Sequence, residues 1–401
     1  MLCAIGFRND VMVMVGLVDC DNFFVSCERS VRPDLEGIPV VVLGNNDGCV
    51  VARSNEAKAM GIRMGVPVFE IRDLVDSGKV HAVPGNHTLY KYISGRVHSI
   101  FREYVPDAVD YSVDEAFLDV RGIPVEHLVE IGVSLRERTM RDMHIPVTVG
   151  FAATKVLAKL AVESIKKTPV HVRVLIDNAE IEEMLRSLPV NELWGIGRRL
   201  VKRMMSEGVY SAADFYHRPC TWIKSVLGVT GERLWLELHG ESCITIAGHG
   251  RRLQDSISET RTFRSDTDDF YWIESQIASF TGDCARRLRK MKGVCGTVRV
   301  FLCSNRFRGD FFSAGTEVIL PSPVSDTLSL TDAAMKGFRS IYKDGIRYKR
   351  GGVTFLNIFP AVASTPSLFG EMENRKSVSS LMRAVDLINV NGKNLRLASE
   401  M

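Results

Sequence analysis

The sequence predicts a multidomain α+β protein built around a ferredoxin-like core, and three observations carry that expectation. Its 401 residues exceed what one hydrophobic core usually organises. Once an inserted module and the helix behind it are set aside, the first part reads strand, helix, strand, strand, helix, strand, which is the ferredoxin-like order. A basic α+β region follows separately. With 45% hydrophobic and 25% charged residues, the composition is that of an ordinary globular chain.

Val11 to Val18 is an apolar run of strand length ending at Asp19-Cys20-Asp21, after which Asn22 suits the cap of a short helix bearing Phe23, Phe24 and Cys27. Asp19 falls at the carboxyl end of that strand, where ligands gather on open sheets, whereas Asp21 suits the cap. Pro33 to about Lys79 is the inserted module, with strands Pro39 to Leu43 and Cys49 to Ala52, a turn at residues 44–48, and a short helix from Asn55. Arg53 and Lys58 within it are candidates for phosphate or for a solvated helix face. Leu89, Ile93, Val97, Ile100 and Phe101 share one face of a helix over His87 to Tyr104 that stops before Pro106. A hairpin (Ala108 to Val113, Ala116 to Val120), a helix from Pro124 to about Met143 and a strand from Pro146 to Ala152 complete the core. Thr154 caps a further helix carrying Lys155, Lys159, Lys166 and Lys167.

The hairpin contains Tyr111-Ser112-Val113-Asp114-Glu115-Ala116-Phe117-Leu118-Asp119. In one continuous strand Asp114 and Glu115 would face opposite sides, so their convergence requires a turn. Taken alone, such a pair is more often a solvated tip. Asp19 changes that reading, because the ferredoxin-like order sets the first strand beside this hairpin although 95 positions separate the two aspartates. Three carboxylates at one sheet end repel one another unless a divalent cation intervenes, and oxygen donors favour magnesium, with manganese as the alternative. Two such ions serve in-line displacement at phosphorus. Lys166 and Lys167 are placed to meet a triphosphate, or else to form a solvated helix end.

Farther on, Gly195-Ile196-Gly197 opens a helix rich in Arg198, Arg199, Lys202 and Arg203, a turn able to hold a backbone phosphate or simply to join two helices. The net charge of +3 is unevenly spread: residues 250–350 hold 18 Lys and Arg against 12 Asp and Glu, which suits a polyanionic partner. There Arg286, Arg287, Arg289, Lys290 and Lys292 crowd the end of a helix, and Arg299 lies in the strand that follows. After Pro360 a less compact tail is expected, with Leu368-Phe369 as a docking peptide followed by charged and then mildly helical sequence. Nine cysteines, an odd count without CxxC pairs or neighbouring His ligands, argue against a disulfide framework and a zinc site and fit a reducing cytoplasm. No signal peptide or membrane span is expected.

Val18-Asp19-Cys20-Asp21-Asn22-Phe23-Phe24, Tyr111 to Phe117, Val149-Gly150-Phe151-Ala152-Ala153-Thr154-Lys155 and the Gly195-Ile196-Gly197 turn together resemble the Y-family DNA polymerases. Residues 32–35, 44–50 and 55–59 are most similar to the UmuC group, the catalytic subunits of bacterial DNA polymerase V. The resemblance implies a palm (residues 1–31 and 81–169), small fingers (32–80), a thumb with a helix-hairpin-helix (170–240), a little finger (250–360) and a tail (361–401). It implies error-prone translesion synthesis in the DNA-damage (SOS) response, with Asp19, Asp114, Glu115 and the Cys20 carbonyl holding two Mg²⁺ ions. Phe23, Phe24, Asn55, Lys58 and Lys166 would bind the deoxynucleoside triphosphate, with Phe24 as a sugar gate. Gly195, Gly197, Arg198, Lys202, Arg286 and Arg299 would hold primer-template DNA, and Leu368 and Phe369 a sliding clamp. Candidate partners are a UmuD-like accessory protein and a recombinase filament. Two rivals remain: a nucleotidyl cyclase sharing the core, and a catalytically inactive polymerase-like DNA-binding protein.

Overall fold

The computed structural model describes residues 14–44, 48–166, 168–245, 253–361 and 372–390. The chain divides into two compact units at Gly250/Arg251. The first runs β1 (Val15–Cys20), α1 (Phe23–Val31), β2 (Val40–Leu43), β3 (Val50–Arg53), α2 (Asn55–Ala59), α3 (Arg72–Asp76), β4 (His81–Pro84), α4 (His87–Tyr104), β5 (Asp107–Asp110), β6 (Glu115–Asp119), α5 (Val125–Met143), β7 (Val147–Ala152), α6 (Lys155–Ile165), β8 (Val172–Leu175), α7 (Asn178–Ser187), α8 (Arg198–Ser206), α9 (Ala212–Tyr216) and α10 (Cys220–Leu238).

Its main sheet has the order β5-β6-β1-β7-β8. The first four strands pair antiparallel, as the ferredoxin-like order requires, and β8 adds a parallel edge beside β7. Strand alternation divides the residues between two cores. Val18, Ala116, Leu118 and Val149 pack with α4 and α5, while Leu17 and Phe117 pack with α6 and the helices after β8. By the same alternation Asp19 shares the face of Leu17, and Glu115 shares that of Phe117. Both carboxylates therefore look toward α6. A small sheet, β3-β2-β4, has its own core of Val41, Val50, Ala57, Ile62, Ile71 and Val80.

The seat of α6 is tightly specified. A Cβ added to Gly150 of β7 would lie 2.6 Å from the Ala158 carbonyl oxygen and 2.9 Å from the Val162 nitrogen, so only glycine lets α6 lie this close to the sheet. Thr154 caps α6 by accepting from Leu157 N–H, as expected, and its hydroxyl donates to the Glu237 carbonyl at 2.7 Å. The fully buried Glu237 carboxylate accepts from Val156 N–H at 3.2 Å and from Cys243 and Ile244 N–H at 2.9 and 2.8 Å. A carboxylate beside a helix N-terminus is favoured by the local dipole, and here it ties α10 to α6.

The second unit runs β9 (Ser256–Thr267), α11 (Phe270–Lys290), β10 (Gly293–Ser304), β11 (Ser313–Val324), α12 (Thr327–Ile341), β12 (Tyr348–Pro360) and α13 (Met372–Val390). Its sheet is antiparallel in the order β11-β10-β12-β9. Ile273, Ile277, Phe280 and Leu288 of α11 and Phe338 of α12 cover one face, against Val298, Val300, Leu302, Val353 and Phe355. The other face carries Arg299, Phe301 and Arg350.

Several expectations need correction. Asn22 adopts the left-handed region (φ 49°) and makes no side-chain cap for α1. Asp21 does not cap either; it accepts from Thr148 Oγ1 at 2.8 Å and pairs with Arg136 at 3.7 Å. The mildly helical sequence expected beyond Pro360 forms α13, which is less loose than expected, since Met382 and Val385 are buried. Arg289, one of the basic residues crowding the end of α11, chelates Asp386 of α13 through two 2.7 Å bonds and donates to Ser325 and Thr327. Residues 1–13, 45–47, Lys167, Leu368 and Phe369 lie outside the described residues.

Gly150→Ala should lower stability by about 1–3 kcal/mol, because backbone atoms must move to admit the methyl group. Denaturant unfolding measures it, and an unchanged midpoint would show that α6 shifts freely.

Candidate active site

The site lies where β1 ends beside the start of β6. Asp19 and Glu115 are direct register partners across the two strands. The turn before β6 is closed by Tyr111 and Ser112 N–H groups donating to the Glu115 carbonyl at 3.0 and 3.1 Å, and Cys20 N–H donates to the Asp114 carbonyl at 2.8 Å. Ser112 completes it: its hydroxyl donates to Asp114 Oδ1 and accepts from the Asp114 and Glu115 N–H groups at 3.2 and 3.0 Å. The turn covers Tyr111 to Asp114, because β5 ends at Asp110 and not at the expected Val113, and Glu115 opens β6.

Cations from α6 and the residue after it face this end of the sheet. Lys166 Nζ lies 2.9 Å from Asp19 Oδ2 and 2.6 Å from Glu163 Oε1, while Lys159 pairs with Glu115 and sits 5.6 Å from the centre of the Tyr111 ring. Asp19 is only 7% exposed. Burial pushes its carboxyl up to about 7, against the pull of Lys166 and with a further rise from Glu115. Burial alone would lower Lys166, but Asp19 and Glu163 outweigh it and hold the ammonium above its usual range. Among the described residues, no three Asp, Glu, His or Cys side chains are gathered as a ready metal-binding group. Asp19 and Glu115 are neutralised by lysines, and Asp114 is engaged by Ser112.

The donor chemistry nevertheless fits a hard divalent cation. Asp19, Asp114, Glu115 and the Cys20 carbonyl offer oxygen alone. The Cys20 thiol is fully buried, and burial first, then the neighbouring acids, push it well above its ordinary value, so it is no thiolate ligand.

Asn22 is a member of the site that sequence reasoning reserved for a helix cap. Its amide donates to Asn55 Oδ1 at 3.0 Å and accepts from Lys58 Nζ, joining α1 to α2. Asn tolerates the left-handed region that Asn22 occupies, and its partners lie 33 and 36 positions away, where no local sequence signal points. Burial lowers Lys58, and the charges of Arg53 and Lys166 lower it further. This gathering of positive charge favours an anion. Arg53 itself is turned to the Ile62 carbonyl.

Phe24 stacks on the buried Tyr90 at 4.5 Å and meets His87 edge-on at 5.7 Å, while the Tyr90 hydroxyl donates to Glu28 at 2.6 Å. Phe23 is only 4% exposed and packs in the core beside Phe24. Gly195 has φ 91°, Gly197 precedes α8, and Arg198, Arg199, Lys202 and Arg203 are exposed around it. Trp194 Nε1 donates to the Tyr111 hydroxyl at 3.1 Å, and the ring stacks on Phe117 at 6.1 Å, linking this turn to the carboxylate hairpin. In the second unit, Arg286 is exposed and pairs with Asp283 at 3.0 Å, and Arg299 is exposed on the sheet face opposite α11 and α12.

The impB/mucB/samB family model matches residues 18–163, and the model for that family's C-terminal domain matches residues 254–368. Protein ImpB of Salmonella typhimurium is 34% identical over 95% of this chain and 91% of its own length. The chain belongs to the impB/mucB/samB family. Another member, Protein UmuC of S. typhimurium strain LT2, is 33% identical over 94% of this chain and 90% of its own, and DNA polymerase IV of Moorella thermoacetica is 30% identical over 92% and 91%. The fold of this impB/mucB/samB protein is that of the Y-family polymerases. A Y-family DNA polymerase chimera of Dbh and Dpo4 superposes with a TM-score of 0.72 at 22% identity, covering 86% of this chain and 99% of its own. Among the described residues, no helix is long and apolar enough to cross a membrane.

A pH test follows from Asp19. An unfolded aspartate loses its proton near 3.8 and the folded one near 7, so Asp19 favours folding in acid and this contribution disappears as pH rises through that window. In chelator, Asp19→Asn should raise the melting temperature at about pH 8 by a few degrees and flatten its fall from about pH 5. Parallel curves for both proteins would contradict the assignment.

Proposed function

We propose that this Y-family DNA-directed DNA polymerase performs error-prone translesion synthesis in the DNA-damage (SOS) response, joining deoxynucleotides to a primer 3′-hydroxyl with release of pyrophosphate. The observation that carries the reading is the register pair of buried Asp19 and partly buried Glu115, faced by lysines and adjoining the Asn22–Asn55–Lys58 cluster. Asp19, Asp114, Glu115 and the Cys20 carbonyl would hold two Mg²⁺ ions, or Mn²⁺. Bound there, divalent ions supply charge that favours the ionised hydroxyl and offsets charge developing at phosphorus.

The chain's own groups do the rest. Lys166 and Lys58 take the triphosphate, and Lys166 then exchanges a carboxylate for phosphate oxygens. Asn55 holds Lys58 in place through Asn22 and adds a polar contact. Phe24, fixed against Tyr90, lies beneath the sugar and excludes a 2′-hydroxyl by bulk. Gly195 and Gly197 free backbone amides for a DNA phosphate, with Arg198 and Lys202 adding charge. Arg286 on α11, and Arg299 on the sheet face opposite α11 and α12, make further backbone contacts. We assign palm, fingers, thumb and little finger to the boundaries the sequence suggests. A UmuD-like accessory protein, a recombinase filament and a clamp reached through Leu368-Phe369 are the partners to test.

A nucleotidyl cyclase would leave the Gly195–Gly197 turn and the basic second unit without a role. The three carboxylates disfavour an inactive DNA-binding relative.

Asp114→Ala should abolish primer extension while DNA affinity stays within about twofold; extension by this variant would refute the metal-binding role. Phe24→Ala should raise ribonucleotide insertion relative to deoxynucleotide by about tenfold or more, measured by single-nucleotide kinetics. An unchanged sugar preference would remove the gate.

A further inference from the structure

The hairpin joining β10 to β11 presents an unusual surface. Phe307 at its tip is 85% exposed and Phe311 54%. The Arg306 guanidinium lies over the Phe307 ring, 5.0 Å from its centre. An aromatic held in water at such exposure contributes nothing to the core, and a rigid fold must keep it there. The rigidity is visible: Ser304 N–H donates to the Phe312 carbonyl at 2.9 Å, Phe312 N–H donates to Ser304 Oγ at 2.8 Å, and Asn305 accepts from Phe307 N–H at 3.0 Å and Arg308 N–H at 3.1 Å.

Cations and acids both gather at this end of the sheet, with Arg306 and Arg308 beside Phe307 and Asp310 farther along the hairpin. Arg308 and Lys349 both reach Asp266, at 3.1 and 3.6 Å, and so bring the hairpin and the start of β12 to one end of the sheet. Arg347 donates to the Asp266 carbonyl there, and Lys343 lies 5.0 Å from the centre of the Phe312 ring. Asp266 is buried and pairs with Arg308 and Lys349, while Arg306 lies over the Phe307 ring itself.

We propose that this hairpin is a binding site for unpaired DNA, with one base stacked on Phe307 and the neighbouring phosphates on Arg306 and Arg308. A rigid exposed ring with flanking guanidinium groups is the arrangement that holds single-stranded nucleic acid without reading its sequence. An apolar protein partner would not need a guanidinium laid over the exposed ring, and a duplex offers no free base face to it. The site is separate from the sheet face of Arg299 and adds to the polymerase reading a grip on the single-stranded part of the substrate, so it rests on that reading for its biological sense.

The test uses the full chain and three fluorescent DNAs: a single strand, a blunt duplex and a primer-template with an overhang. Phe307→Ala should weaken single-strand binding about tenfold, the order expected for one stacked base, and leave blunt-duplex binding within about twofold. Phe307→Trp should restore affinity, and its fluorescence should be quenched by the single strand. Equal losses on single strand and blunt duplex, no loss on either, or affinity restored by Trp without quenching would overturn the proposal. Should Phe307→Ala spare all three DNAs yet reduce capture of a protein partner, the hairpin is a protein-docking element and the proposal fails. Primer extension by the unaltered chain, run in parallel, judges the polymerase reading separately.

Discussion

Everything at the site depends on two carboxylates being placed opposite each other across adjacent strands and turned to the same face. The β1–β6 register pairs Asp19 with Glu115, and strand alternation aims both at α6. Shifting that register by one residue would send Glu115 to the other face and bury Phe117 against the wrong core. Like charges this close are costly unless cations meet them. Lys159 and Lys166 do so in this state, which is how the chain folds around a site that would otherwise repel itself.

That compensation in turn depends on where α6 sits. Gly150 lets it approach the sheet, and Glu237 and Thr154 fix its N-terminus. Lys159 and Lys166 are four residues into the helix and one past its end, so a small displacement at the start moves both ammonium groups. The same face carries Trp194 against Tyr111 and Phe117. A side chain beside the candidate DNA-gripping turn therefore touches the hairpin that bears Asp114 and Glu115, a link made of packing and one hydrogen bond.

Much of this was legible in the sequence because it follows from short-range patterns. Apolar runs of strand length announced β1, β6 and β7, helical spacing announced α4, and Thr154 announced the cap of α6. The strands that escaped notice are at edges. β9 reads Ser-Ile-Ser-Glu-Thr-Arg-Thr-Phe-Arg-Ser-Asp-Thr, with few apolar residues because little of it is covered, and β11 carries two prolines. Both gain their order from partners far away in sequence, which propensity does not report. Side-chain pairings were equally hidden. Nothing local distinguishes Arg289, which anchors α13, from its exposed neighbour Arg286, and nothing local directs Asn22 to Lys58 rather than to a helix cap. The carboxylates were found by residue type and order, but their pairing with lysines required the packed helix.

The central claim is that the lysine-neutralised carboxylates exchange these partners for divalent ions when substrates bind. Counting bound Mn²⁺ by electron paramagnetic resonance, with primer-template DNA and a non-hydrolysable deoxynucleotide, addresses it most directly. About two ions per chain are expected, falling to one or none with Asp19→Ala. Equal Mn²⁺ binding by the two proteins, or none by either, would contradict it.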